Sequence, residues 1–237
     1  CLVWRILMPY GTYSGIKTRE ISFPLGGIGS GSIGLAGNGR LVDWEIFNKP
    51  DKGSFSGFSH FAVKAESNGK VLDARVLNSD LQTPYAGSGP GNFGGFGFGV
   101  ARNTMAGCPH FKDATFHGSY PFAELEFEDE TFPGKCSIEA FNPFIPLNDK
   151  DSSIPSAFFT IKVKNTTDKK IDYTICGCIK NPLPKGTRNT VTQNENVTII
   201  KMDSVSFDNA STDFGDVSIA TDASDVSCQQ YWFRGSW

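Results

Sequence analysis

Acid pairs are the first chemistry this sequence offers. Asp43 with Glu45, and the row Glu124, Glu126 and Glu128, place carboxylates at every second position. On a β-strand such residues share one face about 7 Å apart, a separation that acid/base work on a glycosidic bond tolerates. Spacing alone does not make an acid, because a general acid needs burial to raise its pKa. Both sets are expected on solvated strand faces, so neither receives a catalytic role. Cys108, His110 and His117 are metal-ligand types, but C-x-H-x6-H matches no standard zinc spacing, and a fourth ligand would have to come from elsewhere. They read as loop residues. Cys176 and Cys178 fall on one side of a strand and read as ordinary strand residues, and His60 is expected exposed on the Ala62/Lys64 side of its strand. Gly29, Gly31 and Gly34 fit GxGxxG. A dinucleotide site needs a helix after those glycines, whereas Gly37-Asn38-Gly39 announces a turn; the glycines therefore read as places of close backbone approach. No GxSxG, HExxH or Walker-type run occurs. No catalytic, cofactor-binding or metal-ligating residue is assigned, and no cofactor is expected.

The elements that would carry these residues are strands. Val42, Trp44 and Ile46 alternate with Asp43 and Glu45, and the Asn38-Gly39 step before them is a hairpin signal joining them to residues 30–35. Phe61, Val63 and Ala65 alternate with Ala62, Lys64 and Glu66, and Asn68-Gly69 then leads into a second hairpin over 71–77. Ala123, Leu125 and Phe127 alternate with glutamates, and Phe159, Ile161 and Val163 with Thr160, Lys162 and Lys164. Ile171, Tyr173 and Ile175, then 197–202, 217–221 and 226–233, extend the series. No window of 11 to 18 residues holds a capped helical stripe. An all-β, two-sheet antiparallel β-sandwich follows, because two facing sheets bury these alternating residues against each other. Residues 85–99 break the pattern: the stretch is glycine-rich and reads as a long loop, with Phe93, Phe96 and Phe98 either pinned on the sandwich or exposed.

The 237 residues suffice for a core without staples. Lys and Arg number 22 against 25 Asp and Glu, a net charge of -3, so the basic footprint of a nucleic-acid partner is missing and none is expected. The early apolar stretch 2–8 is far below the roughly 18 residues a membrane span needs. A soluble chain without a transmembrane segment is expected, with cytoplasm favoured over secretion. Six cysteines are too sparse for a disulfide scaffold, and the sequons at Asn165, Asn196 and Asn209 occur about as often as chance predicts. Cys1 reads as a boundary rather than as a processed lipoprotein.

Four segments carry a resemblance: 21–31 (ISFPLGGIGSG), 43–50 (DWEIFNKP), 141–155 (FNPFIPLNDKDSSIP) and 230–237 (QYWFRGSW). Together, and in this order, they resemble the N-terminal domain of glycoside hydrolase family 116, the non-lysosomal glucosylceramidase or bile acid β-glucosidase type, over about residues 15–237. The resemblance implies a retaining β-glucosidase in which an N-terminal β-sandwich packs on a C-terminal (α/α)6 barrel. The nucleophile and acid/base belong to that barrel, so no catalytic residue carries over to this chain. The implied partners are the barrel and, through it, a β-glucoside or glycolipid substrate. Residues 1–14 are then a lead-in and 15–237 the sandwich, truncated before the barrel; the dense apolar ending 232–237 adds the expectation of a missing edge strand. Trp44, Phe47, the loop phenylalanines, Trp232 and Trp237 are candidates for the barrel contact, although Trp44 and Trp232 fit the core equally well. The competing reading is a stand-alone carbohydrate-binding or interaction module on the same sandwich.

Overall fold

The alternation of apolar and charged residues resolves into antiparallel strands in the computed structural model, which describes residues 11–56, 58–83, 104–183 and 186–231. In chain order they are β1 (Gly11–Ser14), β2 (Ser22–Leu25), β3 (Ser32–Ala36), β4 (Leu41–Glu45), β5 (His60–Ser67), β6 (Lys70–Val76) and β7 (Asp113–Ser119). Then follow β8 (Phe122–Glu128), β9 (Lys135–Phe141), β10 (Phe158–Lys164), β11 (Asp172–Cys178), β12 (Thr187–Gln193), β13 (Thr198–Ser204) and β14 (Asp216–Thr221). The only α-helical turn among the described residues, α1 (Asp149–Ser152), is capped by Asn148, whose side chain accepts from the Asp151 N–H. No helix among them is long and apolar enough to cross a membrane.

The chain forms two compact units, one reaching Cys178 and one starting at Ile179. The first holds a five-stranded sheet in the order β1-β7-β8-β9-β10, a second sheet β11-β5-β6, and the small meander β2-β3-β4. Period-2 alternation puts Phe116, Leu125, Phe127, Cys136 and Ile138 on the buried face of the large sheet, and Val63 and Ala65 on that of the second. Each large side chain so buried contributes about 1.5–3 kcal/mol. The two sheets meet through Phe61 and Phe159, whose ring centroids are 5.1 Å apart, and through the Tyr173 hydroxyl, which donates to the Pro133 carbonyl. Arg75 of β6 stacks over Phe111 and Phe132 and forms ion pairs with Asp73 and Asp129. The fold is thus the all-β sandwich that the alternation predicts.

Both predicted hairpins form. Asn68 and Gly69 have φ of 52° and 73°, the left-handed pair a two-residue turn requires. Gly39, at φ 95°, also packs so tightly that a Cβ there would lie 2.3 Å from the Leu77 carbonyl oxygen.

The second unit is the antiparallel sheet β12-β13-β14, with Met202 buried and Arg188 holding Asp203 through two hydrogen bonds of 3.1 and 2.7 Å. One expectation fails here. Residues 226–231 form no strand, although 226–233 alternates acceptably. They meet the edge of β12 through side chains instead: the Asn189 N–H donates to the Tyr231 hydroxyl at 3.0 Å, and the Asn189 amide donates to the Gln230 carbonyl at 2.7 Å. A hydroxyl that serves the edge groups of a strand replaces the ladder that a further strand would have built. The loop phenylalanines at 93, 96 and 98, Trp232 and Trp237, and the stretch 2–8 lie outside the described residues.

Candidate functional site

The solvated face expected for Asp43 is not found. β4 carries a register irregularity opposite β3, and Asp43 sits at φ 49°, so the simple alternation breaks. Residues 51–55 then fold over the strand: Asp43 N donates to the Ser54 carbonyl at 3.0 Å, and Val42 bridges Phe55. As a result Leu41, Val42, Asp43 and Trp44 are all buried. The Asp43 carboxylate accepts from Ser22 Oγ at 2.5 Å, Gly53 N–H at 2.7 Å and Lys52 Nζ at 3.4 Å. Burial alone would raise its pKa, but the Ser22, Gly53 and Lys52 contacts together outweigh it, and the net displacement is downward. Asp43 is a fixed, saturated anion, the opposite of a poised acid. Glu45 pairs with Lys52 at 2.9 Å.

The other predicted groups disperse. Glu126 and Glu128 are exposed as expected, while Glu124 is half-buried. His110 Nε2 meets Asp80 Oδ1 at 2.5 Å, with its Nδ1 on the Cys108 carbonyl, whereas His117 reaches Thr12 Oγ1 at 3.1 Å. His60 is half-buried rather than exposed, its ring bound to the Phe58 carbonyl. Cys176 and Cys178 stand on the edge strand β11, and burial pushes both thiols above their ordinary pKa. The GxGxxG glycines do allow close approach: a Cβ on Gly34 would lie 2.1 Å from Ser22 Oγ, and one on Gly31 would lie 2.8 Å from the Glu45 carbonyl oxygen.

What the fold does bring together are three of the four segments singled out in the sequence. Asn142, buried, accepts from Gly26 N–H at 2.6 Å and donates to the Pro24 carbonyl at 2.7 Å. The Ile28 N–H donates to the Ser152 carbonyl at 2.8 Å, and a Cβ on Gly27 would lie 2.5 Å from the Ile154 carbonyl oxygen. Ser152 Oγ both donates to the Ile145 carbonyl at 3.0 Å and accepts from the Ile145 N–H at 2.9 Å. Residues 24–31 and 142–154 are therefore tied into one junction, and 43–46 join it where Gly31 packs against Glu45 and Ile46. A family model described as beta-glucosidase 2, glycosyl-hydrolase family 116, N-terminal, matches residues 22–236. The chain belongs to this family.

The match takes in the whole junction, from Ser22, which holds Asp43, through Ile154. In this family-116 N-terminal domain the junction presents apolar side chains outward: Ile28, Phe47, Ile145 and Ile154 are exposed, and Leu147 is fully so. Leu147 and Phe47 are held at φ 64° and 56°, which costs a side chain with a Cβ about 1–2 kcal/mol each. Trp44, by contrast, does not share this exposure. It is 7% exposed and its indole N–H donates to the Leu41 carbonyl, so its role is in the core. Sequence reasoning names Phe47 among its candidates for an exposed aromatic surface, but not Ile28, Ile145, Leu147 or Ile154. The signal was there in apolar residues set among Gly, Asn, Asp, Ser and Pro, where turn chemistry has no use for them.

Proposed function

We propose that this chain is the non-catalytic β-sandwich of a retaining β-glucosidase of the glucosylceramidase type, and that its task is to dock and support a C-terminal (α/α)6 barrel and shape the cleft. The nucleophile and acid/base belong to the barrel in this reading, and β-glucoside or glycolipid substrate is met through it. The observation that carries the reading is the apolar junction. Its loops are fixed by buried hydrogen bonds, yet what they fix is a set of exposed isoleucines, a leucine and a phenylalanine, two of them on strained backbone. Apolar side chains held out at conformational cost mark a contact surface.

The carboxylates support the same division of labour. A retaining pair stands about 5–5.5 Å apart and needs one member with a raised pKa. Asp43, Asp129 and Asp203 are instead all displaced downward, each by hydrogen bonds and cationic partners that outweigh burial. They suit structure, not proton donation.

Hydrolysis of an aryl β-glucoside tests this. The 237-residue chain alone is expected to give no turnover above background, and turnover appears when the barrel is supplied. Turnover by the chain alone that disappears in Asp43→Asn or Glu45→Gln would overturn the proposal.

A further inference from the structure

We propose that Asn68, at the tip of the hairpin between β5 and β6, is a modification site: its side chain deamidates through a succinimide closed by the Gly69 nitrogen, leaving aspartate and isoaspartate. The sequence holds two Asn-Gly steps, Asn38-Gly39 and Asn68-Gly69. They share the intrinsic chemistry, because a glycine nitrogen with no Cβ beside it approaches the asparagine side-chain carbonyl carbon more freely than the nitrogen of any other residue. The fold separates them.

Asn38 is held on every side. It is 7% exposed, its Oδ1 accepts from Arg40 Nε at 3.2 Å, and its main-chain carbonyl accepts from the Ser79 N–H at 2.9 Å. The Gly39 N–H, the group that would attack, donates to the Ala36 carbonyl at 2.9 Å, and Gly39 itself is packed against the Leu77 carbonyl and the Phe127 ring. Ring closure there requires the loss of these bonds and a shift of packed backbone. At the other tip the same restraints are missing. Asn68 and Gly69 are exposed, and nothing lies within 4 Å of the place a Gly69 Cβ would take. Among the described residues, neither the Asn68 side chain nor the Gly69 N–H makes a hydrogen bond. The neighbouring tie is Ser67 Oγ, which donates to the Lys170 carbonyl at 2.9 Å and leaves the tip beyond it unheld.

Water is the sole co-reactant. The Gly69 nitrogen gives up its proton and forms a bond to Asn68 Cγ, the Cγ–Nδ2 bond breaks, and Nδ2 takes a proton and leaves as ammonia. Water then opens the succinimide at either carbonyl: cleavage at the side-chain carbonyl gives aspartate, and cleavage at the main-chain carbonyl gives isoaspartate. Ring closure has to turn the peptide out of the left-handed conformation that Asn68 and Gly69 hold at φ 52° and 73°. A two-residue tip at the end of a hairpin opens at little free-energy cost, whereas Asn38 opens only with the packing around it. The product carries a carboxylate next to Lys70. As isoaspartate it also adds a main-chain carbon to a turn whose ladder already shifts register between Ala65 and Glu66.

Peptide mapping by mass spectrometry of the 237-residue chain, kept folded at mildly alkaline pH, tests the site, with isoaspartate counted by enzymatic methyl transfer from S-adenosylmethionine. In the folded chain Asn68 is expected to deamidate, with isoaspartate among the products, at least about tenfold faster than Asn38, which must wait for a larger opening. In urea that unfolds the chain the two steps should convert at similar rates, since only the fold distinguishes them. Gly69→Ala should slow conversion at Asn68 severalfold, because the added methyl group crowds the attacking nitrogen. Asn68 that stays intact in the folded chain but converts in urea would overturn the proposal. So would equal rates at Asn38 and Asn68 in the folded chain, conversion at Asn68 without isoaspartate, or an unchanged rate in Gly69→Ala. The hairpin takes no part in the junction, so failure here leaves the proposed function standing.

Discussion

A carboxylate taken out of water is stable only when donors meet its charge, and Asp43 and Asp129 are met in different ways. Around Asp43 the donors are a hydroxyl, a backbone N–H and an ammonium, and the residue also occupies a left-handed φ that Asp and Asn tolerate better than Ala. Asp43→Ala should therefore cost about 2–3 kcal/mol, since it strands the Ser22 and Gly53 donors and strains the backbone. Asp43→Asn keeps an acceptor and the φ preference and should cost about half as much. Urea denaturation of the two variants measures the difference; equal losses would mean that the charge alone matters. Around Asp129 the donors are Arg75, with Nη1 2.5 Å from Oδ2, and the Thr131 N–H and hydroxyl at 2.9 and 2.6 Å from Oδ1. Burial raises its pKa, but these donors prevail and bring it from 3.8 to about 2. The folded value lies below the unfolded one, so the stabilisation is complete above the unfolded pKa and is lost as pH falls through about 4 towards about 2. It amounts to about 1–2 kcal/mol after allowance for solvent around the pair. Melting temperatures recorded between pH 2 and 6 should show this acid loss, and Asp129→Asn should flatten it.

At the scale of elements, the turns separate two demands that a sequence writes with the same letter. Gly39 and Gly69 both follow asparagine in a hairpin turn, and both have positive φ. Gly69 faces open space, so Gly69→Ala should cost only the left-handed penalty, about 1 kcal/mol. A Cβ on Gly39 meets the Leu77 carbonyl at 2.3 Å and the Phe127 ring at 3.0 Å, so Gly39→Ala should cost about 3 kcal/mol or more, with the two read from parallel denaturation curves. Both hairpins were legible because Asn-Gly and period-2 alternation are local signals. β8 was legible for the same reason, since Glu124, Glu126 and Glu128 fall on one face and the buried Ala123, Leu125 and Phe127 on the other. β4 was not. Its sequence alternates, but residues 51–55 cover the face that alternation assigns to water, and no local rule foretells a covering segment. The junction was half legible: its three segments could be singled out by family resemblance, but that Asn142 bridges Pro24 to Gly26 across more than a hundred residues is a fact of packing.

For the whole molecule the question is what a domain gains by fixing an apolar residue in the open. A fully exposed leucine at φ 64° is a net cost to the isolated chain, which is recovered only when something covers it. If the barrel does, burial of the Leu147 side chain contributes roughly 2–3 kcal/mol to association, equivalent to about 30- to 150-fold in affinity. Leu147→Asp removes that contribution and sets a charge in the contact, while Asp accepts the left-handed backbone more readily than Leu. The chain by itself should therefore melt at the same temperature or slightly higher, yet recover aryl β-glucosidase activity with the supplied barrel only at concentrations at least about 30-fold greater. Ile154→Asp, on the neighbouring loop, should act in the same direction. Val71→Asp is the control: Val71 is apolar and about as exposed as Ile154, but it lies on β6 among residues that take no part in the junction. Complementation that weakens in the two junction variants and not in the control assigns the docking face to the junction. Equal behaviour of all three would show that the barrel is met elsewhere and would leave the strain at Leu147 without a purpose.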